Sequence, residues 1–134
     1  MTGARTSAMH PSDLAGYRVL VVEDDYFVAQ ELCSTLRENG AIVLGPARSV
    51  SVGRDLVRKQ LPDCVLLDIN LNGEYAFDFA GELQARGVRT LFTTGYDASF
   101  IPPHLRHTTC LQKPLDTYVL VRNIRLRPPG KVPL

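Results

Sequence analysis

Acidic side chains follow two short apolar segments of the chain. The sequence VLVVEDD runs from Val19 into Glu23, Asp24 and Asp25, and the sequence VLLD ends at Asp68. Close carboxylates raise each other's pKa, so such a cluster is unfavourable without a cation. A hard divalent ion removes the repulsion, and Mg²⁺ suits carboxylate oxygens and retained waters. These acids therefore indicate a Mg²⁺ site, with Mn²⁺ as the alternative ion.

Helix capping is a second interpretation of the first acidic group. Asp24 or Asp25 could accept backbone N–H groups at a helix start and favour its positive end. For Asp25 alone, capping is the preferred interpretation. Capping does not explain Asp68, because the loop sequence INLNGE follows it rather than a helix.

Two later segments end on other polar groups. LFTTGY brings the hydroxyls of Thr93 and Thr94 to a segment end, followed by Gly95, which allows close approach of the backbone to a ligand. LQKPL ends with Lys113, whose ammonium is a compact point charge suited to a phosphoryl oxygen or a carboxylate. The segment ends together therefore carry carboxylates, a hydroxyl and an ammonium.

Five short apolar runs carry these groups and predict strands. They lie at Tyr17–Val22, Ala41–Leu44, Cys64–Leu67, Thr90–Thr93 and Thr109–Leu111. Helical spacing occurs between them, so the order of elements predicts an α/β fold with a parallel sheet and right-handed crossovers. We expect a doubly wound, five-stranded, flavodoxin-like sheet of order 2-1-3-4-5. Ligands bind where strand order reverses in such a sheet, here between the first and third strands.

Glycines and capping residues bound the predicted helices. The first ends before Gly40 and the third before Gly87, Ser49 or Ser51 caps the second, and Asp116 caps the last, roughly residues 117–126. The fourth helical position is poor, because YDASFIPPHLRH contains two adjacent prolines. We expect a short or degenerate fourth helix.

Composition limits the classes of partner and compartment. The chain has 134 residues and a net charge of +1, which favours neither a nucleic acid nor a membrane as partner. Three widely spaced cysteines do not form a disulfide framework, so we expect a cytoplasmic location. The sequence predicts a flexible N-terminal leader at 1–16, one domain at 17–127 and a C-terminal tail at 128–134.

The segments VLVVEDD, VLLDINLNGE, FTTGY and LQKPL, taken in this order, resemble the CheY-like receiver domain of two-component response regulators. The resemblance covers about residues 17–127. VLGPARSV and FTTGYD further resemble the FAT GUY receiver subgroup, whose members are often stand-alone receivers in bacterial phosphorelays. The resemblance implies a single-domain phosphoprotein that receives its phosphoryl group from a histidine kinase or a histidine phosphotransfer protein. It also implies no enzymatic activity beyond the domain's own phosphorylation and dephosphorylation.

The resemblance assigns roles to the acidic residues and to one neighbour. Asp68 would be the phosphoacceptor and would also contact the metal. Asp24 would bind Mg²⁺ directly and Glu23 through water. Asn70 would add its backbone carbonyl to the metal site.

The resemblance also assigns roles at the later strand ends. Thr94 would donate a hydrogen bond to the attached phosphoryl group. Lys113 would pair with Asp68 and then with the phosphoryl oxygens, and the peptide bond to Pro114 would be cis.

Two positions depart from the family pattern. Cys110 occupies the place of the usual aromatic switch residue, three positions before Lys113. Tyr96 is a candidate to replace that switch, and packing on its loop is the alternative role. The last helix contains the sequence YVLV, from Tyr118 to Val121, which cannot all face one core. We expect a homodimer or target-protein contact through this helix.

Two other functions remain open from the sequence. One is a Mg²⁺-dependent phosphohydrolase with an aspartyl-phosphate intermediate. Such enzymes often place an acid two residues after the nucleophile, where this chain has Asn70. The other is a receiver-like binding module that is never phosphorylated.

Overall fold

A parallel sheet of five strands forms the centre of this computed structural model, which describes residues 10–95 and 101–130. The strands are β1 (Arg18–Val22), β2 (Ile42–Ala47), β3 (Cys64–Asp68), β6 (Arg89–Thr94) and β7 (Cys110–Gln112). Their order is β2-β1-β3-β6-β7, and all neighbours are parallel. The predicted flavodoxin-like order is confirmed, since β6 and β7 are the predicted fourth and fifth strands.

Helices cover both faces of the sheet, as a doubly wound fold requires. They are α1 (Tyr26–Glu38), α2 (Val50–Lys59), α3 (Phe77–Ala85) and α4 (Thr117–Ile124). Alternate residues of β1 face opposite ways: Leu20 and Val22 join the core beneath α2 and α3, whereas Val19 and Val21 join the core beneath α1 and α4. Burial on both faces explains why these strands are continuous apolar runs.

Side-chain caps begin three of the helices. Asp25 Oδ1 accepts hydrogen bonds from the amides of Phe27 and Val28, at 2.9 and 3.0 Å. Ser49 caps α2 and Asp116 caps α4. The preferred capping role of Asp25 is confirmed.

A small hairpin follows β3 where the sequence predicted a loop. Strands β4 (Asn70–Leu71) and β5 (Glu74–Tyr75) pair antiparallel. The turn residues Asn72 and Gly73 have positive φ angles of 56° and 95°. Asparagine followed by glycine favours this turn, because both adopt positive φ at low cost. The loop prediction for INLNGE is therefore corrected to a hairpin.

The segment before β7 contains one turn of 3₁₀ helix, Pro103–Leu105, instead of an α-helix among the residues described there. Ile101 and Leu105 are buried in the core beneath α2 and α3. Residues 96–100 lie outside the described residues. In the parts of the chain that the structure describes, no helix has the length and apolar character that crossing a membrane requires.

Both ends of the described chain pack at the amino-terminal edge of the sheet. Leu14 is fully buried, and its amide donates to Asn39 O at 2.7 Å. Near the other end, the amide of Gly130 donates to Asp63 Oδ1 at 2.6 Å. The predicted leader at 1–16 and tail at 128–134 therefore each include residues that pack against the domain.

Candidate functional site

The carboxyl ends of β1 and β3 bring three acids together. Glu23, Asp24 and Asp68 each offer a carboxylate oxygen, and these oxygens lie within 4.8 Å of one another. Glu23 is 1% exposed and Asp68 is 6% exposed, whereas Asp24 is half-buried. β1 and β3 are neighbours in the sheet, with Val22 beside Leu67, so the acids that follow them meet. The convergence that the sequence predicts is present.

Lys113 lies between two of these acids. Its Nζ donates a hydrogen bond to Asp68 Oδ2 at 2.9 Å and forms an ion pair with Glu23 Oε1 at 2.7 Å. Its amide donates to Thr94 O at 2.8 Å, which fixes the end of β7 beside the end of β6. The peptide bond between Lys113 and Pro114 is cis, as the resemblance implies. The family resemblance implied the pairing with Asp68, whereas no signal in the sequence predicted the contact with Glu23.

Backbone amides orient two of the carboxylates. Asp68 Oδ1 accepts from the amide of Asn70 at 3.1 Å. Glu23 Oε2 accepts from the amide of Asp25 at 3.0 Å. The side-chain oxygen of Asn70 accepts from the amide of Gly73 at 2.8 Å, so the hairpin turn supports the residue that contacts Asp68.

Burial and mutual repulsion change the protonation of this site. The pKa of Glu23 is raised from 4.5 to about 7: burial is the main cause and the nearby Asp68 carboxylate adds to it, against the opposing effects of Lys113 and the Asp25 amide. Burial alone would lower the pKa of Lys113, but its ion pairs with Glu23 and Asp68 outweigh burial and raise that pKa. The ammonium is therefore charged at neutral pH, and one cation faces three acids.

The donor set fits Mg²⁺ or Mn²⁺. All three converging groups are carboxylates, the ligand type that hard divalent cations prefer. Glu23 Oε1 is buried, and the Lys113 ammonium lies 2.7 Å from it while also contacting Asp68. A cation between the acids would compensate the charge that Lys113 leaves unbalanced. The backbone carbonyl of Asn70 as a further ligand remains a prediction.

An open cleft of about 560 Å³ lies over these groups. Its walls include the three acids, Asn70, Asn72, Gly95 and Lys113. Thr94 is buried at the end of β6, directly before Gly95. Its neighbour Thr93 pairs with Asp68 across the sheet. The structure thus places the predicted hydroxyl segment beside the acidic cleft.

The switch candidates differ in what the structure describes. Tyr96 lies outside the described residues. Cys110 begins β7, pairs with Phe92 and packs partly buried against the core that contains Ile101 and Leu105. Burial raises the pKa of the Cys110 thiol, which disfavours a reactive thiolate. This environment agrees with a small apolar filler at that position.

The predicted apolar face of the last helix is divided between core and surface. Leu120 and Val121 are buried, Tyr118 is half-buried and Val119 is 38% exposed. A groove with a volume of about 310 Å³ lies between α1 and the start of α4. Val28 and Lys113 line both this groove and the acidic cleft. The groove therefore opens beside the acids.

Comparison with known proteins places these features in a family. The family model described as "Response regulator receiver domain" matches residues 19–125. The sensory transduction protein LytT of Bacillus subtilis is 34% identical over 83 residues, which are 60% of this chain and 34% of LytT. The transcriptional regulatory protein PdtaR of Mycobacterium tuberculosis is 28% identical over 88 residues, which are 66% of this chain and 42% of PdtaR. The chain thus spans about a third to two fifths of these relatives.

Solved structures agree with this family. The signal receiver domain of a modulated diguanylate cyclase from Desulfovibrio desulfuricans has a TM-score of 0.74 and 25% identity, covering 82% of this chain and 91% of that chain. The response regulator PhyR of Brucella abortus has a TM-score of 0.73 and 23% identity, covering 90% of this chain and 51% of that chain. The second likeness supports the fold alone.

Proposed function

Because the chain belongs to the response regulator receiver domain family, we propose that it accepts a phosphoryl group on Asp68 in a Mg²⁺-dependent reaction, within a domain at residues 17–127. Receiver domains bind Mg²⁺ at an acidic pocket and interact with histidine kinases or phosphotransfer proteins. The observation that carries the proposal is the placement of Asp68. It lies beside two further acids, with one oxygen on the Lys113 ammonium and the other on the Asn70 amide.

The chemistry follows from these contacts. An oxygen of ionised Asp68 attacks the phosphorus of a phosphohistidine, forming an O–P bond as the P–N bond breaks and its electron pair returns to the imidazole. Lys113 lies within 2.9 Å of Asp68 and can follow the negative charge onto the phosphoryl oxygens. Bound Mg²⁺ would supply further neutralisation of that charge. Asp24 and Asp68 would hold the ion directly and Glu23 through water, with the Asn70 carbonyl as a further protein ligand.

The modified domain would signal through changed protein contacts. Thr94 stands at the end of β6, and its carbonyl is bound to the Lys113 amide. We propose that its hydroxyl turns to the phosphoryl group, and that this end of β6 shifts with it. Tyr96 remains the proposed replacement for the aromatic switch, and Cys110 occupies the usual switch position as a small apolar side chain.

The groove between α1 and α4 supports a site for the phosphoryl donor. Val28, Leu32, Leu115 and Leu120 supply apolar surface there, and Lys113 joins the groove to the acidic cleft. A histidine kinase or phosphotransfer protein seated in this groove would hold its phosphohistidine near Asp68. The exposed side of α4, with Val119, remains the proposed contact for a homodimer or target.

Phosphoryl uptake can be tested without a kinase. Incubation with acetyl phosphate and Mg²⁺ should produce one shifted band on a Phos-tag gel, and EDTA should abolish it. Asp68→Asn should remove the band because the nucleophile is lost. Asp78→Asn, a matched change of an exposed acid in α3, should retain it. A band that persists in Asp68→Asn, or no band in the unmodified protein, would contradict the proposal.

The same preparation separates a receiver from a phosphohydrolase. We expect no sustained turnover of p-nitrophenyl phosphate with Mg²⁺. Steady release of nitrophenol that depends on Asp68 would instead support the hydrolase.

The donor groove can be tested separately from the chemistry. Val28→Ala should slow phosphotransfer from a cognate histidine kinase several-fold, because it removes apolar contact area from the groove. Uptake from acetyl phosphate, which needs no docking, should change less than twofold. Val52→Ala, an exposed valine on α2, is the matched control. Equal slowing with both donors would place the effect of Val28 in the cleft instead.

A further inference from the structure

A second polar cavity lies at the opposite edge of the sheet from the acids. Its volume is about 230 Å³, and it lies beside the start of β6 and the segment before β7. The side chains that give it its character are basic or hydroxylic: Arg89, Arg127, His107, Thr90, Thr108 and Thr109. Every lining residue is described by the structure, and none of them is acidic.

Both arginines are held in place by main-chain carbonyls. Arg89 Nε donates to Asn123 O at 3.1 Å, and Arg127 Nη1 donates to Gly87 O at 2.5 Å. A guanidinium has five N–H donors, so these bonds orient each group and leave donors available.

Within residues 10–95 and 101–130, neither guanidinium forms an ion pair. Among the described residues, the ion pairs formed by arginine are those of Arg18, Arg54, Arg58 and Arg125, so Arg89 and Arg127 have no carboxylate within 4.0 Å. Both arginines are half-buried. Two half-buried cations beside one cavity repel each other, and an anion between them would remove that repulsion.

From these observations we propose that the cavity binds a small phosphate-bearing dianion. Guanidinium forks match phosphate oxygens, and the His107 ring and the hydroxyls of Thr108 and Thr109 supply further donors around the cavity, whereas the Thr90 hydroxyl donates to Val88 O at 3.5 Å. Donors on several sides favour a tetrahedral group over a planar carboxylate. The volume lies below the range of pockets that hold drug-sized ligands, so a nucleotide is too large. This site is independent of phosphoryl uptake at Asp68.

The probe is inorganic phosphate, titrated into ¹⁵N-labelled full chain at constant ionic strength with EDTA present. We expect saturable shifts of the amides at 87–90 and 107–109, with a Kd of about 1 mM or lower. Glycerol 3-phosphate should shift the same amides, and succinate should bind at least fivefold more weakly. Shifts that rise linearly without saturation, or equal binding of succinate, would overturn the proposal.

Matched substitutions test the assignment to these side chains. Arg89→Gln with Arg127→Gln should weaken phosphate binding at least tenfold. Arg86→Gln removes the same charge from an exposed neighbour outside the cavity and should change the Kd less than twofold. If Arg86→Gln weakens phosphate binding equally, the loss reflects the lower net charge and not the two arginines of the cavity.

Folding and site identity have their own readouts. If the double variant unfolds and loses its dispersed spectrum, the amides that shift in the unmodified protein still locate the phosphate site. Phosphate shifts that appear only with Mg²⁺, and only for the amides at 68–73, would assign phosphate binding to the acidic cleft. They would refute binding in the cavity beside Arg89 and Arg127. Phosphate binding that survives in Asp68→Asn would show that the two sites are separate.

Discussion

Buried carboxylates lie at both edges of the central sheet, and their surroundings differ. At the amino-terminal edge, Asp63 is 6% exposed and accepts hydrogen bonds from the amides of Arg18 and Gly130 at 2.8 and 2.6 Å, with the Arg18 guanidinium 3.6 Å away. At the carboxyl-terminal edge, Glu23, Asp24 and Asp68 meet around one ammonium.

The difference separates a structural acid from functional ones. Two amides bind the oxygens of this single carboxylate and a guanidinium compensates its charge, so Asp63 joins the start of β1 to the C-terminal segment. Three acids with one ammonium leave negative charge uncompensated, and burial raises the pKa of Glu23 to about 7. The three acids at the carboxyl-terminal edge repel one another and favour binding of a cation, whereas Asp63 at the amino-terminal edge has its partners within the chain and stabilises the fold.

The largest effect expected is on chemistry at the acidic edge. Lys113→Ala should slow phosphoryl uptake from acetyl phosphate about 10²- to 10³-fold, as removal of one donor to a developing oxyanion typically does. The measurement is the initial rate by Phos-tag gel. Lys59→Ala, at the exposed C-terminal end of α2, is the control and should keep the original rate. A Lys113→Ala rate within threefold of the original would remove Lys113 from the chemistry.

The next effect is on stability at the amino-terminal edge. Asp63→Ala should lower the free energy of unfolding by about 3 kcal/mol, because it removes a buried carboxylate and leaves two backbone amides and the Arg18 guanidinium without their partner. Urea unfolding measures the change. Asp55→Ala, an exposed acid paired with Arg58, should cost less than about 1 kcal/mol. If Asp63→Ala costs no more free energy of unfolding than Asp55→Ala, Asp63 is not a structural acid.

Replacing the Glu23 carboxylate should raise the free energy of unfolding, whereas replacing the Asp63 carboxylate should lower it. Its folded pKa of about 7 exceeds the ordinary value of 4.5, so its stabilising contribution is complete below about pH 4.5 and is lost as pH rises to about 7. With EDTA present, Glu23→Gln should gain about 2 kcal/mol over the unmodified protein across that interval. Saturating Mg²⁺ should remove the gain, since the ion stabilises the carboxylate. A variant that becomes less stable than the unmodified protein as pH rises would refute this account.

The smallest effect distinguishes two kinds of contact at the amino-terminal edge. Arg125 Nη1 lies 3.4 Å from Asp13 Oδ1, and the arginine is exposed. Arg125→Ala should change the free energy of unfolding by about 0.5 kcal/mol or less, because solvent screens such pairs. A loss as large as that of Asp63→Ala would show that ion pairs, rather than backbone bonds to Asp63, hold this edge.

Local patterns were sufficient to predict most of the fold and the meeting of the acids, whereas the roles of single site residues came from the family resemblance. Apolar runs such as VLVV give strands buried on both faces, and glycines after α1 and α3 mark helix ends. Parallel strands bring their carboxyl ends to one edge, so acids after β1 and β3 had to meet once the strand order was known.

The missed features depend on short elements or on distant contacts. Strands β4 and β5 have two residues each, too few for a periodic pattern, although the Asn72–Gly73 pair was a usable signal. Leu14 and Gly130 bind partners far along the chain, and no local pattern encodes such contacts. The contact between Lys113 and Glu23 has the same origin, since 90 residues separate strand ends that only the folded sheet makes adjacent.

Lys113 is a wall of the cleft where phosphorus would arrive and of the groove where a donor would sit. When its ammonium follows charge onto a new phosphoryl group, the same displacement reshapes the surface that the donor recognises. Movement of this one side chain would then both stabilise the phosphoryl group and weaken binding of the donor protein.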